Sequence, residues 1–249
     1  MRAEKMNAQK KQASGLKSKK TKNSKTKNAK SKNLSIEKEP KENARNSKKK
    51  RVENTAEKDV YRKQTWRAGN MLYPVPAVMV SMARPGEKAN IITVAWAGTI
   101  NSDPVMLSIS VRKERYSHAI LSETKEFVVN LVHESLVKAC DYCGVRSGRD
   151  VDKFAEMKLT PAAVEGVHAP AILQSPVNIA CKVKEIIPLG SHDMFLAEVV
   201  SVTVDEAYMD EKGTFHLNDS GLVAYSHGTY YKLGRAIGTF GYSVRKNKK

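Results

Sequence analysis

Hydrophobic and polar positions alternate most clearly in residues 105–112, VMLSISVR. The period of two predicts a strand whose apolar residues share one face, and the opposite face then carries Met106, Ser108, Ser110 and Arg112. Such a face is poor core material but suits an anion, because hydroxyl donors and a forked cation can share the oxygens of a phosphate. An exposed edge strand followed by a charged turn would give the same pattern, so both interpretations stay open here.

The residues directly after this strand extend the anion-binding interpretation. Lys113, Arg115 and Tyr116 lead to Ser117, which stands where a short helix, residues 117–124, would begin. A serine at a helix start leaves backbone N–H groups free for an anion. The strand end and the helix start would therefore serve the same site.

Further runs predict several short strands and few helices. Alternation and β-branched residues predict strands at residues 77–82, 90–96, 127–131, 178–187 and 194–204, and helical spacing predicts a helix at 134–143. Residues 225–243 predict a loop with at most one turn of helix. Short strands joined by turns favour a mainly β, closed or nearly closed antiparallel barrel over a parallel sheet.

The charge of the chain is concentrated in one segment. The net charge is +17, but residues 1–58 hold 20 Lys and Arg against 6 Glu, so that the remaining chain carries only +3. This segment has hardly any large apolar side chain and predicts a disordered tail, followed by a folded domain at residues 59–249. Such a tail could attract nucleic acid or an anionic surface without sequence preference, and a passive extension is the favoured alternative.

Several classes of function and location are disfavoured by what the sequence lacks. No apolar run approaches the roughly 18 residues needed to span a bilayer, no secretory signal begins the chain, and three cysteines do not make a disulfide framework. We expect a cytoplasmic protein with no membrane association. For the CxxC pair Cys140 and Cys143, burial in the core is favoured over redox work. No phosphate-binding glycine motif, nucleophile motif or metal-ligand spacing is present, and catalytic residues of the protein's own are not expected.

Five segments in order resemble the flavin reductase-like family and, within it, the flavoredoxins. They are NIITVAW at 90–96, SVRKERYS at 110–117, SGRDVDKF at 147–154, LGSHDMF at 189–195 and YYKLG at 230–234. The resemblance runs over about residues 71–244 and leaves out the tail. It implies an FMN-binding split β-barrel with Greek-key antiparallel topology. It also implies a homodimer with flavin near the subunit interface.

The resemblance also implies a set of cofactor-binding residues. Ser110, Arg112 and Ser117 would hold the FMN phosphate, which agrees with the anion-binding strand face. Asn90 and Trp96, on one face of a strand, would lie beside the flavin, and Lys153 would bring a cation to the flavin or its phosphate. Two further residues complete the set. His192 would contact the flavin from the turn between the two long strands, and Tyr231 would supply an aromatic face.

The implied function is that of an FMN-dependent oxidoreductase or electron carrier. Electrons would come from NAD(P)H or be exchanged with a redox protein, and the cofactor would supply the chemistry. Two alternatives stay open. The first is a nucleic-acid-associated protein that acts through the basic tail, and the second is a flavin-free split barrel with a structural or haem-handling role.

Overall fold

The structure is a computed structural model that describes residues 62–245. Its helices are α1 (Tyr116–Thr124), α2 (Val137–Val145) and α3 (Lys153–Glu156), with single 3₁₀ turns at Glu134–Leu136, Glu206–Tyr208, Leu217–Ser220 and Tyr242–Val244. The strands are β1 (Val75–Pro76), β2 (Val78–Met82), β3 (Asn90–Val94), β4 (Ala97–Ser102), β5 (Val105–Arg112), β6 (Glu126–Leu131), β7 (Pro161–Ala162), β8 (Ala171–Ile172), β9 (Val177–Pro188), β10 (His192–Val204), β11 (Val223–Ser226) and β12 (Thr229–Lys232). These elements belong to one compact unit that begins at Thr65.

A seven-stranded antiparallel sheet forms the centre of the fold. Its strand order is β3-β2-β6-β9-β10-β5-β4, in which three pairs of sequence neighbours are hairpin partners and longer connections bring β6 beside β2 and β9 and bring β5 beside β10. The two longest strands, β9 and β10, pair along their length with irregularities after Leu196 and Val199, which bend the ribbon. The sheet therefore curls, and the backbone N–H of Ser110 donates to the carbonyl of Trp96 at 2.8 Å where the chain crosses from β3 to β4.

The inner face of the curled sheet holds the main core. Alternation on β5 places Leu107, Ile109 and Val111 inside, where they pack with Phe127 and Phe195. Phe127 and Phe195 have no solvent exposure, and burying an aromatic side chain of this size contributes about 1.5–3 kcal/mol. The predicted division of β5 into an apolar and a polar face is thus what positions its hydroxyls and guanidinium.

A second layer covers the outer face of β2 and β3. Helix α2 packs there through Ala139, Cys140 and Cys143, against Met79 and Ile91. A small sheet of order β1-β11-β12 lies at the same side. Strand β2 is buried on both faces because the barrel core and this layer cover it.

The mainly β antiparallel split barrel predicted from the sequence is confirmed, and the differences are local. Strand β3 ends at Val94, so the prediction of one strand through Trp96 is wrong. The chain bends at residues 95–96 before β4, which the pairing of Ser110 with Trp96 requires. The first part of the segment predicted as a loop, up to Lys232, belongs to the β11–β12 hairpin, whereas the remainder is irregular with one 3₁₀ turn at Tyr242–Val244, as predicted.

Other predictions meet the limits of the described residues. The tail at residues 1–58 lies outside them, and so does the start of the predicted domain at residue 59. Within residues 62–245, none of the helices has the length and apolar character needed to cross a bilayer.

Candidate functional site

A cavity of about 450 Å³ opens where β5 ends and α1 begins, and we call it the cationic cavity. Its wall carries four cations, Arg112, Arg115, Arg146 and Lys153, against the single carboxylate of Glu114. Arg112 is paired with Glu114 at 3.4 Å, and the excess positive charge left around this concave surface favours an anionic ligand. Arg112, Arg115 and Ser117, which the sequence placed in one anion-binding segment, thus line the same cavity, and Arg146 joins them from another loop.

The amino end of α1 faces this cavity. Arg115 is the N-cap residue, its backbone is extended, and no side chain caps the helix. Since the first turn contains no acidic residue either, its free N–H groups and the positive end of the helix dipole are open to an anion. The prediction that Ser117 begins the helix is shifted by one residue, because Tyr116 already has helical geometry.

Ser117 is held by a buried asparagine from the neighbouring strand. The Asn90 side-chain amide donates to the Ser117 hydroxyl oxygen at 2.8 Å, and both residues are almost fully buried. Because the oxygen accepts this bond, the hydroxyl hydrogen is directed elsewhere, and Ser117 lines the cationic cavity. Asn90 thus orients a donor of the anion site.

The side-chain carbonyl oxygen of Asn90 is a buried acceptor that lacks a hydrogen bond within the described part of the chain. Among residues 62–245 it has no hydrogen-bond donor although it is buried. Gly148 covers it so closely that an added Cβ would stand 2.1 Å from this oxygen and 3.1 Å from the Tyr116 ring. Only glycine allows the 146–149 loop to lie against the site, and the buried acceptor costs about 1–3 kcal/mol.

Lys153 is a buried cation with a partly used ammonium group. Its Nζ donates to the carbonyls of Ile91 at 2.5 Å and Cys143 at 2.8 Å, and the residue is 3% exposed. Burial lowers the pKa of Lys153 to about 8, opposed by Cys143 and reinforced by the charge of Arg115. An ammonium group has three donors, so one remains for a ligand of the cationic cavity.

A smaller cavity of about 190 Å³ adjoins the first, and we call it the Trp96 cavity. Ser110, Arg112 and His192 line it together with Trp96, and Arg112 lines both cavities. His192 is the first residue of β10 and pairs directly with Arg112 across the sheet. The structure therefore brings four of the predicted cofactor residues together here.

The remaining predicted residues are distributed differently. Ser117 and Lys153 line the cationic cavity, and Asn90 bonds to Ser117 but shares no cavity with Trp96, since the chain bends between them. Tyr231 on β12 is 54% exposed and lines neither cavity, so its contact with a cofactor stays a prediction.

The residues that the sequence analysis did not select as cofactor ligands are mostly basic. Arg115 lies within the run RKERYS, and Arg146 precedes the SGR segment, so clustering of arginines around two resemblance motifs was the available signal. Cys143 also lines the cationic cavity. Burial raises its pKa to about 11 and that of Cys140 to about 12, so both remain thiols near neutral pH.

A barrel whose strand end, uncapped helix and arginines surround one cavity has the charge and the donors that suit an anionic ligand. The sequence pattern of the flavin reductase like domain matches residues 70–234, more than half of the chain. The chain belongs to this family, and its membership makes it a flavin-binding oxidoreductase in general terms. The resemblance seen in the sequence is confirmed.

Solved structures with the same fold include two flavoredoxins. The flavoredoxin of Desulfovibrio vulgaris (Miyazaki F) is 29% identical, with 74% of this chain and 100% of that chain covered and a TM-score of 0.69. The flavoredoxin of Methanosarcina acetivorans is 26% identical, with 74% and 100% covered and a TM-score of 0.67. An FMN-binding protein of Thermus thermophilus is 25% identical, with 73% and 98% covered and a TM-score of 0.59.

Proposed function

We propose that this protein binds FMN and transfers electrons through it between NAD(P)H, or a redox protein, and an acceptor. The observation that carries the proposal is the convergence of Arg112, Arg115 and Ser117 with the uncapped N-terminus of α1 on one cavity. A terminal phosphate has a charge of about −1.5 to −2 near pH 7 and three acceptor oxygens. The two guanidinium groups supply positive charge for this phosphate, and the Ser117 hydroxyl and the free N–H groups of α1 supply further hydrogen-bond donors.

The concentration of cations favours FMN over FAD. In FMN the whole negative charge lies on one terminal phosphate, whereas the two bridged phosphates of FAD each carry about one charge. Arg112, Arg146 and Lys153 all line the same cavity, where a terminal phosphate could contact several of them at once. The similar FMN-binding protein of Thermus thermophilus supports the same choice.

Each residue of the site has a task that its position allows. Arg112 and Ser117 would bind the phosphate, Asn90 would orient the Ser117 hydroxyl, and Trp96 would exclude water from the cavity that adjoins the phosphate site. Bound flavin supplies hydride or single-electron transfer. The protein then needs to bind, orient and shield, which agrees with the absence of a selected acid or base.

A cofactor titration tests the choice of FMN. Protein freed of cofactor is titrated calorimetrically with FMN, FAD and riboflavin, and the native cofactor is released by denaturation and identified by mass. We expect FMN to bind about 100-fold or more tightly than riboflavin, since several charge-assisted hydrogen bonds are lost without the phosphate. Equal affinity for riboflavin, or tighter binding of FAD, would contradict the proposal.

An anaerobic reduction experiment tests the electron donor. Bleaching of the flavin absorbance at once after NADH or NADPH is added would identify a nicotinamide-dependent reductase. Bleaching only by a reduced redox protein would identify an electron carrier. If dithionite alone reduces the flavin, both proposed donors are wrong.

Large apolar side chains at both ends of the described chain support a homodimer. Trp66 is 77% exposed and Leu72 85%, while Ile237 is 94% and Phe240 fully exposed. Exposed large apolar side chains such as these are what a subunit interface would cover. Light scattering should give twice the chain mass of 27.6 kDa, and the variant pair Ile237→Ser and Phe240→Ser should give the monomer mass.

A cytoplasmic location belongs to the same proposal. Cys140, Cys143 and Cys181 are all free thiols in the core, as expected in a reducing compartment. Cell fractionation with an antibody to the chain would test it, and recovery in the membrane or secreted fraction would contradict it.

A further inference from the structure

One buried carboxylate lies close to the proposed phosphate site but lines neither the cationic nor the Trp96 cavity. Asp193 is the second residue of β10, next to His192, and only 8% of its surface is exposed. Neighbouring residues of a strand point to opposite faces, so His192 faces the Trp96 cavity while Asp193 faces α1. A buried charge is costly unless it is paired and hydrogen-bonded, so the partners of this carboxylate matter.

The first partner of Asp193 is the third residue of α1. The Nε2 atom of His118 donates to Oδ2 of Asp193 at 2.8 Å, since a carboxylate can only accept. The same imidazole packs edge-on against Phe195, two residues further along β10, with the ring centroids 5.4 Å apart. His118 is therefore held against β10 at two points.

The second partner lies in the turn that leads into α1. The Lys113 ammonium is 3.3 Å from Oδ1 of Asp193, an ion-pair distance, although this oxygen accepts no hydrogen bond from any of residues 62–245. Burial by itself raises the pKa of Asp193, but the hydrogen bond from His118 and the charge of Lys113 together outweigh it. The net shift of the pKa is downward, so the group is a carboxylate near neutral pH.

Both partners of Asp193 adjoin a residue of the proposed phosphate site. Lys113 is the next residue after Arg112. His118 is the next residue after Ser117. Asp193 thus holds the chain neighbour of each of these two proposed phosphate ligands, and the segment between them includes the uncapped start of α1. One carboxylate ties both ends of the anion-binding segment to β10.

We propose that Asp193, through His118 and Lys113, is a positioning residue that presets the segment 112–117 for the phosphate of the cofactor. Because it lines neither cavity, it acts only through its two partners. It keeps the phosphate ligands of the segment at a fixed separation before the cofactor arrives, so that less conformational freedom is lost on binding. This inference rests on the proposed function and names the residue that organises its phosphate site.

A pair of substitutions at His118 tests this role in the full chain. His118→Leu removes the donor to Asp193, whereas the side-chain amide introduced by His118→Gln can still donate to it. In calorimetric titrations we expect His118→Leu to weaken FMN binding about ten-fold and His118→Gln to stay within about two-fold of the unaltered chain. An equal loss in both variants would assign the effect to ring packing and overturn the proposal.

Riboflavin distinguishes positioning of the phosphate ligands from general damage to the fold. Since riboflavin has no phosphate, its affinity should change by less than about two-fold in His118→Leu. Equal losses of FMN and riboflavin affinity would overturn the proposal, and so would an unchanged FMN affinity.

Asp193→Ala tests the carboxylate itself, because it releases both partners. FMN affinity should fall at least as far as in His118→Leu, and a smaller loss would contradict action through Asp193. The two His118 variants decide the question if Asp193→Ala does not fold.

His216→Leu is the matched control, because it breaks the same kind of pair at an exposed position. The Nε2 atom of His216 bonds to Oδ2 of Asp210 at 3.0 Å, and neither residue lines the cationic or the Trp96 cavity. The control should leave FMN affinity unchanged. A loss as large as that of His118→Leu would show that the effect is not specific to Asp193 and would overturn the proposal.

Inorganic phosphate separates this inference from the proposed function. Its binding to the cofactor-free chain, followed by ³¹P NMR, reports on the anion site whichever cofactor is native, and the basic segment 1–58 is the same in every variant. If FAD or riboflavin binds more tightly than FMN, the FMN function fails, while weaker phosphate binding by His118→Leu than by His118→Gln still supports the role of Asp193. Equal phosphate binding by these two variants overturns that role, whatever flavin binds.

Discussion

Two buried asparagines show how the scaffold differs from the site. Asn130 on β6 has no solvent exposure, and every polar atom of its side chain is bonded. It donates to the Met79 carbonyl and the Ser81 hydroxyl at 2.9 Å, and accepts from the backbone of Ile172 and the amide of Asn178 at 2.8 Å. Asn90 on β3 is buried to nearly the same degree, but its carbonyl oxygen lacks a partner within residues 62–245.

The difference separates polar groups that stabilise from polar groups that orient. The hydrogen bonds of the Asn130 network offset the cost of burying its polar groups. They also fix how β8 lies against β6 and β9. The Asn90 side chain keeps one unmet acceptor while its amide directs Ser117 toward the cationic cavity. Removing Asn130 should therefore damage folding, whereas removing Asn90 should damage ligand binding.

Asn130→Ala should give the largest effect. The Ile172 N–H and the Asn178 amide would each lose a partner in the core, at about 1–3 kcal/mol per group. We expect the free energy of unfolding to fall by about 3–4 kcal/mol in urea titrations. Asn218→Ala, at an exposed position, is the control and should change it by less than about 0.5 kcal/mol. A loss below about 1 kcal/mol for Asn130→Ala would show that the network does not stabilise the fold.

Arg112→Ala should weaken FMN binding and leave the stability of the fold nearly unchanged. The Arg112 side chain is 55% exposed and lines both the cationic and the Trp96 cavities, so stability should change little. We expect FMN binding to weaken about 50-fold by calorimetry, the value of one charge-assisted contact with a phosphate. Arg235→Ala removes the same charge from an exposed position outside these cavities and should leave the affinity unchanged. If both variants bind FMN equally, Arg112 does not contact the phosphate.

Asn90→Ala tests the comparison most directly. Truncation removes the unmet acceptor together with the amide that holds Ser117, so the stability cost should be smaller than for Asn130→Ala. FMN affinity should fall about ten-fold, because the Ser117 hydroxyl is no longer directed to the phosphate. Ser117→Ala is the matched variant. If Asn90 acts only through Ser117, the double variant should lose no more FMN affinity than the single variant with the larger loss. Additive losses would show that Asn90 contacts the cofactor by another route.

The sequence was informative where a local pattern decides the structure. The alternation of residues 105–112 predicted the two faces of β5, and the run up to Ser117 predicted the helix start within one residue. The strand through Trp96 was wrong because barrel closure, through the bond from Ser110 to Trp96, bends a chain whose own pattern is continuous.

Contacts between distant segments could not be predicted in the same way. Gly148 lies against Asn90 although the loop is far along the chain, and Tyr73 meets Tyr225 only because β1 pairs with β11. No period in the sequence encodes such pairs. The arginines of the cationic cavity likewise converge from the β5–α1 turn and the 146–149 loop.

The smallest predicted effect is a pH dependence of FMN binding. Lys153 is half protonated at about pH 8, because burial opposes its charge, while a bound phosphate would stabilise the ammonium form. Binding therefore takes up a proton, and affinity falls as the pH rises through 8. Between pH 7.0 and 8.5 the protonated fraction falls about four-fold, and we expect the FMN dissociation constant to rise by the same factor.

Lys153→Met provides the control for this titration. Methionine keeps the apolar length of the side chain but cannot titrate, so its weaker FMN binding should be independent of pH over the same interval. Cys143, the nearest other titrating group, stays protonated there because its pKa is about 11. A four-fold change that persists in Lys153→Met would assign the titration to another group, whereas its loss would show that protonation of Lys153 is coupled to FMN binding.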